Sequence, residues 1–504
     1  MGNFSLLDAG IVGIYLLLTI VAGLAVRKYV GKVEHYIVAG REMNLYLGVA
    51  SLAATEFGIV TCMYTAQNGL KMGFAGAVPG ILQTVAMLVV GITGFCIKPL
   101  RDAGVMTIPE LFENKFGSNV RWLSGVVIVL GGLLNMGVFL RTGGEFLLIT
   151  MGYNPAEFAT TYRLEIIMSI LLLIVAMYTV LGGMLSVLVT DFLQFIVMSI
   201  SMLLVTILIL IKVGWGNIIS AVETHLGPKG FNPFLMERGW EFVAFNLCLQ
   251  FAVVLTWQAV IQRILSAKST RVGKLIYVHT SFFFTARFII PGLWGMAALA
   301  TLLPEQIGEN SLYAMPRFLS TFLPSGLMGI LIAGMLAADM STDSAYMLTW
   351  GGVIYNDILA PIRKKHQWSE KKGVLINRTI VALIGLFLLF YGLWYPLKGN
   401  LWDYLGVTGT IYLSSMSVLL IACCYWKHAN NWGAMGSIIA GAVFPIGFLI
   451  LQQLPQTAEW AQQVGPYKSG LASYAGSALA MIIGSLLKIA LIKDKASTTK
   501  GPKI

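Results

Sequence analysis

Two adjacent hydroxyls, Ser341 and Thr342, stand in the segment Ala337-Ala338-Asp339-Met340-Ser341-Thr342-Asp343-Ser344-Ala345, inside an otherwise apolar stretch. Hydroxyls at that depth either bond back to their own helix or, flanked by small residues, supply oxygen ligands to a dehydrated cation. Hard oxygen ligands of this kind suit sodium. At about 100° per residue, Ala338, Ser341, Ser344 and Ala345 share one helical face and Thr342 borders it, while Asp339 and Asp343 point the other way. The two aspartates are poor ligands for the same ion. They are expected to be paired structurally or to face a cytoplasmic exit.

Few other ionisable groups lie within apolar stretches: Glu56, Arg141, Glu145, Asp191 and Arg287. An unpaired guanidinium at membrane depth is costly, so Arg141 in "NMGVFLRTGGEFLL" needs an anionic partner. That partner is either a solute or Glu145, one helical turn on at i+4. Asp191 in "VTDFLQ" reads as a snorkelling end residue or a cation ligand. Arg287 calls for a buried ion pair with a partner that the sequence does not identify.

The elements that must hold these groups are membrane spans. The chain has 504 residues, 57% of them hydrophobic and only 11% charged, with a mean hydropathy of +0.78, a composition foreign to soluble domains. Apolar stretches long enough to cross a bilayer as helix fall near 7–26, 45–66, 76–97, 121–150, 163–183, 186–212, 241–264, 275–303, 323–357, 376–396, 402–426, 432–453 and 470–492. These predict an all-α polytopic membrane protein of about thirteen spans. The fifth and sixth are joined only by a tight turn around Gly182-Gly183.

The net charge of +11 is dealt out over short loops. Arg27, Lys28, Lys32 and Arg41 follow the first span, Lys98, Arg101, Lys115 and Arg121 the third, and Arg263, Lys268, Arg271 and Lys274 the seventh. Arg363, Lys364, Lys365, Lys371, Lys372 and Arg378 follow the ninth, and Lys493, Lys495, Lys500 and Lys503 close the chain. With thirteen spans all lie on one side, which places the N-terminus outside and the C-terminus in the cytoplasm. Charge scattered in this way is topological and implies no nucleic-acid partner. Gln262 and Arg263 belong, on this count, to the cytoplasmic end.

The start, Met1-Gly2-Asn3-Phe4-Ser5, lacks a basic n-region and a cleavage site, so the first apolar stretch is expected to be retained as a span. The five cysteines are odd in number and lie in or at spans, which speaks for packing rather than a disulfide framework. There is no HExxH, GxSxG or Walker A pattern. The expectation is a transporter rather than an enzyme, with no organic cofactor, driven by an ion gradient instead of ATP.

Five motifs, the opening segment among them, carry a resemblance. They are Tyr36-Ile37-Val38-Ala39-Gly40-Arg41, then Thr107-Ile108-Pro109-Glu110-Leu111-Phe112 with Lys115-Phe116-Gly117, then "YTVLGGMLSVLVTDFLQ" from Tyr178 to Gln194, "WQAVIQRILSAKS" from Trp257 and "AADMSTDSAYML" from Ala337. In this order over thirteen spans the chain resembles the sodium:solute symporter family, which includes bacterial proline, pantothenate, sialic acid and sugar symporters. The resemblance implies one transmembrane domain over 1–504. Within it, 7–26 is a peripheral first span, 45–426 a ten-helix core of two five-helix inverted repeats of the leucine-transporter type, 432–492 two C-terminal spans and 493–504 a basic cytoplasmic tail. The first helix of each repeat should be broken. "SLAATEFGIVT" clusters Ala, Thr and Gly as an unwound segment needs, whereas Val253 to Gln258 has neither Gly nor Pro.

The resemblance also implies site residues. Sodium, the coupling ion, falls to carbonyls of Ala54, Phe57 and Ala338 and hydroxyls of Ser341 and Thr342. A possible second sodium falls to Asp191 and Ser344, with Ala345 replacing a further serine. Arg141 matches the position that binds the substrate carboxylate in the sialic acid branch. Glu56 stands where proline-type relatives have Asp and sugar-type relatives Asn. It either supports sodium or a coupled proton, or forms an ion pair with Arg141. Thr55, Thr61, Gln67, Trp257 and Gln258, polar or aromatic residues on or beside the broken helices, complete the candidate solute pocket. The implied activity is sodium-driven uptake of a small polar solute, an organic anion or amino acid, across a bacterial-type cell membrane by a monomer in the lipid bilayer. The alternatives are a proton-coupled or sugar-type symporter on the same fold, or a transporter-like sensor.

Overall fold

Ser5 starts the first helix with a reciprocal cap, its side chain accepting the Asp8 N–H while the Asp8 carboxylate accepts the Ser5 N–H at 2.8 Å. The computed structural model describes residues 4–29, 31–158, 160–308, 310–395 and 400–498. Among them the chain is helical, with one isolated bridge between Met43 and Ala267.

The principal helices are α1 (Leu6–Ala25), α2 (Leu45–Thr55), α3 (Ile59–Met72), α4 (Val78–Thr93), α5 (Ile108–Phe116), α6 (Ser118–Met136), α7 (Phe139–Thr150) and α8 (Arg163–Lys212). After a loop carrying the short helix Trp215–Leu226 come α9 (Gly239–Thr256), α10 (Gln258–Ser266), α11 (Thr270–Thr301), α12 (Leu327–Val353), α13 (Glu370–Trp394), α14 (Leu401–Tyr425), α15 (Asn431–Gln453) and α16 (Ala458–Thr498).

Ten helical stretches among the described residues are long and apolar enough to cross a membrane. The 50-residue α8 accounts for two crossings, because Gly183 interrupts it with φ +54°. Only glycine fits there, since a Cβ would lie 2.6 Å from the Tyr36 ring. The short α2 joins α3 as one interrupted crossing ahead of α4, and α12, made less apolar by its aspartates and hydroxyls, supplies another. The order reproduces the thirteen spans expected from hydropathy.

Five crossings run from α2 to the end of α8 and five from α9 to α14, and each set opens with a broken helix. The first break spans Glu56 to Gly58, where Gly58 is extended with ψ 172°. A Cβ on Gly58 would sit 2.7 Å from the Thr342 hydroxyl, so the missing side chain lets α12 approach the break. The second break is Trp257, with φ −63° and ψ 112°. No Gly or Pro is needed, because the freed Val254 carbonyl accepts the Tyr277 hydroxyl at 2.6 Å. The basic ends of the two broken helices are tied together where Met43 N–H bonds Ser266 and Lys268 N–H bonds Met43.

Helix α1 lies at the periphery against α8 and α12. Its Asp8 carboxylate accepts the backbone N–H groups of Gly326 and Gly329 at 2.8 and 2.6 Å, capping the start of α12. Helices α15 and α16 pack on each other and on α14. The tail expected at 493–504 continues α16 as far as Thr498, and 499–504 lie outside the described residues.

Candidate functional site

The first break is held open by side chains from other helices. Phe57 N–H bonds the Ala54 carbonyl at 3.2 Å. The Thr342 hydroxyl bonds the Thr55 carbonyl at 2.8 Å and its own Ala338 carbonyl at 3.0 Å. The Glu56 carbonyl accepts the Thr61 hydroxyl at 3.3 Å and Nη1 of Arg287. Of the five expected sodium ligands, Ala54, Phe57, Ala338 and Thr342 thus gather at the junction of the break with α12. All are buried.

Ser341 turns instead to α8, its hydroxyl donating to Asp191 Oδ1 at 2.6 Å. Asp191 Oδ2 also accepts Ser51 at 2.5 Å and Arg263 Nη2 at 3.3 Å, and Arg263 donates to the Thr55 hydroxyl at 2.5 Å. Arg263, assigned to the cytoplasmic end by the charge pattern, is not a solvated end residue but is buried three residues before Ser266. It has 0% exposure, tolerated because Asp191 compensates its charge. Gln262 is buried with it, donating to the Ile37 carbonyl at 2.6 Å. Where a second cation was expected at Asp191, the guanidinium occupies one carboxylate oxygen. Ser344 bonds the Ser341 carbonyl at 3.1 Å and leaves Asp191 to other partners.

Between the two breaks lies a cavity of about 80 Å³. Its polar wall is Glu56, Thr61, Asn135, Gln250, Arg287 and Thr342, and its apolar wall includes Tyr64, Phe139, Trp257, Tyr346 and Trp402. Tyr64 and Trp402, with ring centroids 4.9 Å apart, flank it on the side away from the basic loops. Trp257, stacked on Tyr412 at 5.9 Å and edge-on to Tyr346 at 5.5 Å, flanks it on the other. Of the pocket residues expected from sequence, Glu56, Thr61 and Trp257 reach this wall.

The others are placed elsewhere. Thr55 faces Arg263, as described. Gln258 is buried in α10 with an unpartnered Oε1. Gln67 lies nearly two turns beyond Thr61, donating to Ser311 at 2.9 Å and accepting the Leu401 N–H at 3.1 Å. Arg141 is off the cavity wall: its Nε pairs with Glu145 at 2.8 Å and its Nη1 bonds the Gly392 carbonyl at 3.1 Å, the local i+4 arrangement.

Glu56 accordingly finds its cation on α11 and not on Arg141. Arg287 Nη1 lies 3.1 Å from Glu56 Oε2, Nη2 donates to Gln83 at 3.2 Å, and the guanidinium covers the Phe284 ring at 4.7 Å. Asp339 and Asp343 have no ion-pair partner among the described residues. Both are buried, and Asp339 lies in space that Gly143 of α7 leaves free. Asn135 and Gln250, amides in apolar runs, are cavity residues that sequence reasoning passed over. Their signal was an amide at mid-span, alone at Asn135 and one turn after Asn246 at Gln250.

A profile of the sodium:solute symporter family matches residues 36–441. The chain is 24% identical to sodium/glucose cotransporter 4 of Danio rerio, over 88% of this chain and 72% of that one. It is also 24% identical to the sodium/proline symporter of Staphylococcus aureus, over 86% and 84%. Its fold superposes on a Na+-coupled sialic acid symporter in a substrate-bound outward-open state, with a TM-score of 0.80 at 18% identity, covering 96% of this chain and 98% of that one. The paired broken helices, the hydroxyls of α12 set against the first of them and the profile match over most of the chain agree: this protein belongs to the sodium:solute symporter family.

Proposed function

We propose that the chain is a secondary active symporter that couples inward sodium flow to uptake of a small polar solute, an organic anion or amino acid, by alternating access. The observation that carries this is Thr342, which bonds the carbonyl of Thr55 in the first break and also walls the cavity. Ion site and solute space share one residue. Sodium taken by Ala54, Phe57, Ala338, Ser341 and Thr342 would order the broken segment that presents Glu56 and Thr61, and so complete the solute pocket. Closure and inward opening then release the ion to low cytoplasmic sodium.

In this reading the protein sits in a bacterial-type cell membrane, and the positive-inside rule applied to the basic loops supports an outside N-terminus and a cytoplasmic C-terminus. Both sites lie within one chain, so the monomer suffices as the transport unit. Proteoliposome uptake of labelled amino acids, sugars, short carboxylates and sialic acid, with and without an inward sodium gradient, tests the proposal beside Ser341→Ala/Thr342→Ala protein. Sodium-driven accumulation of one solute, lost in the double variant, is the expected result. Uptake indifferent to sodium and to both substitutions overturns it.

A further inference from the structure

The cavity wall carries two charged side chains, Glu56 and Arg287, and they are paired with each other. Neither is fully used. Glu56 Oε1 and Arg287 Nε are buried with no hydrogen-bond partner, although their residues are 4% and 6% exposed. The Trp257 indole also faces the Glu56 carboxylate, but its N–H bonds the Tyr346 hydroxyl at 3.1 Å. An unmade hydrogen bond on a buried charged group is costly, and here one acceptor and one donor stand open on adjoining groups.

We infer that the cavity binds a small zwitterion of the amino-acid type, its ammonium on Glu56 Oε1 and its carboxylate on Arg287 Nε. The inference rests on the symport reading and narrows its solute class. The unpaired acceptor calls for a cationic donor and the unpaired donor for an anionic acceptor, so a solute with only a carboxylate leaves Glu56 Oε1 unmet and one with only an ammonium leaves Arg287 Nε unmet. A zwitterion matches both. A sugar brings no counter-charge to either unpaired group, although Thr61, Asn135, Gln250 and Thr342, with the Tyr64 and Tyr346 hydroxyls and the Trp402 indole N–H, line the same space. The remaining surface is largely aromatic and apolar, which suits a compact carbon skeleton. Arg287 is fixed for the task, since Gln83 and the Glu56 carbonyl hold its two outer nitrogens.

The test is equilibrium binding to full-length protein in nanodiscs, with and without sodium. The probes are the free α- and β-amino acids, the N-acetyl and amide derivatives of any that bind, short carboxylates and hexoses. Sodium-dependent binding of a free amino acid, weakened roughly 10- to 100-fold when either charge is blocked, is expected from loss of one charge-assisted hydrogen bond. Glu56→Gln and Arg287→Gln should weaken it comparably. The derivative series needs no substitution, so a variant that fails to fold leaves the test intact. Sodium-dependent binding of a hexose or a net anion in place of every amino acid overturns the zwitterion while symport stands. The same holds if no amino acid binds although sodium still raises the melting temperature of the protein. Absence of any sodium effect, on binding or on melting, overturns the symport reading beneath it.

Discussion

Arg263 Nη2 lies 3.3 Å from Asp191 Oδ2, and neither side chain has any solvent exposure. Through Ser51, Thr55 and Ser341 the same pair reaches the first broken helix and α12, so one buried charge cluster joins both helix breaks to the ion-site helix. Removing one partner leaves the other charge buried without compensation. Asp191→Asn should therefore destabilise the protein by about 3–5 kcal/mol, and Asp191→Asn/Arg263→Gln should recover a large part of that loss. Thermal unfolding in detergent checks both. A single variant as stable as the parent would show that the pair contributes nothing to holding the breaks together.

The two α12 hydroxyls make different contacts and should not be equivalent. Thr342 reaches the backbone of the break and the cavity, whereas Ser341 already has a carboxylate partner. Thr342→Ala is expected to raise the sodium concentration for half-maximal uptake by roughly tenfold or more, the equivalent of one interaction with a charged group. Thr342→Ser should restore most of it, because the hydroxyl is kept. Sodium titration of uptake in proteoliposomes decides, and an unchanged half-maximal concentration in Thr342→Ala would remove that residue from the ion site.

Hydropathy made the spans legible because a bilayer imposes length and apolarity on every crossing. The first break was legible too, in the small residues around Gly58. Partners set by tertiary packing were not. The break at Trp257 depends on a tyrosine of the next helix, and Arg263 is buried because of an aspartate 72 positions away. Glu56 and Arg287 are 231 positions apart, while Arg141 and Glu145, four apart, could be paired by spacing alone. Local pairing was readable, and the cost of burying Arg141 was met locally. Arg141, expected to clamp an anionic solute or to pair with Glu145, makes the local pair, and the guanidinium on the cavity wall is that of Arg287.

The "TIPELF" motif has a structural explanation at the basic end of α12. Arg121 Nε lies 2.8 Å from Asp357, its Nη1 lies 2.5 Å from Glu113 on α5, and Thr107 donates to Asp357 at 2.9 Å. Arg121 is 5% exposed and Asp357 wholly buried. Arg121→Ala should cost about 3–5 kcal/mol, most of it from the stranded Asp357 carboxylate, and Arg121→Ala/Asp357→Asn should cost less than the single change. Melting temperatures of the three proteins test the coupling. A double variant that loses the sum of the two single effects would mean that the residues act independently.

Glu113 sits at the water-facing edge of this cluster. The hydrogen bond from Lys364, helped by Arg121, holds its carboxyl below the usual carboxylate range. A carboxyl whose pKa is depressed on folding contributes stability above its unfolded pKa and loses it as pH falls through the folded value. The melting-temperature gap between the parent and Glu113→Gln should accordingly be present at neutral pH and close as the solution is made acidic. Its size is small, under about 1 kcal/mol, because Glu113 is a quarter exposed and its charge is screened. A gap that widens on acidification would show that Glu113 is not ionised in the folded protein.

Gln67 ties three parts of the face opposite the basic loops. It belongs to α3, donates to Ser311 ahead of the short helix Ala314–Phe322, and accepts the N–H of Leu401 at the start of α14. The Tyr64 and Trp402 rings lie beneath it, on the wall of the cavity. Its contacts join the broken helix to the segments that cover that face, so losing them should favour opening there. Each of the two hydrogen bonds contributes about 1 kcal/mol net, so Gln67→Ala should raise access to the cavity from that face by roughly 10- to 30-fold. Thiol labelling of a cysteine at Leu405, which lines the cavity, in a background without the five native cysteines measures it. Equal labelling rates with and without Gln67 would mean that this face is held by its aromatic layer alone.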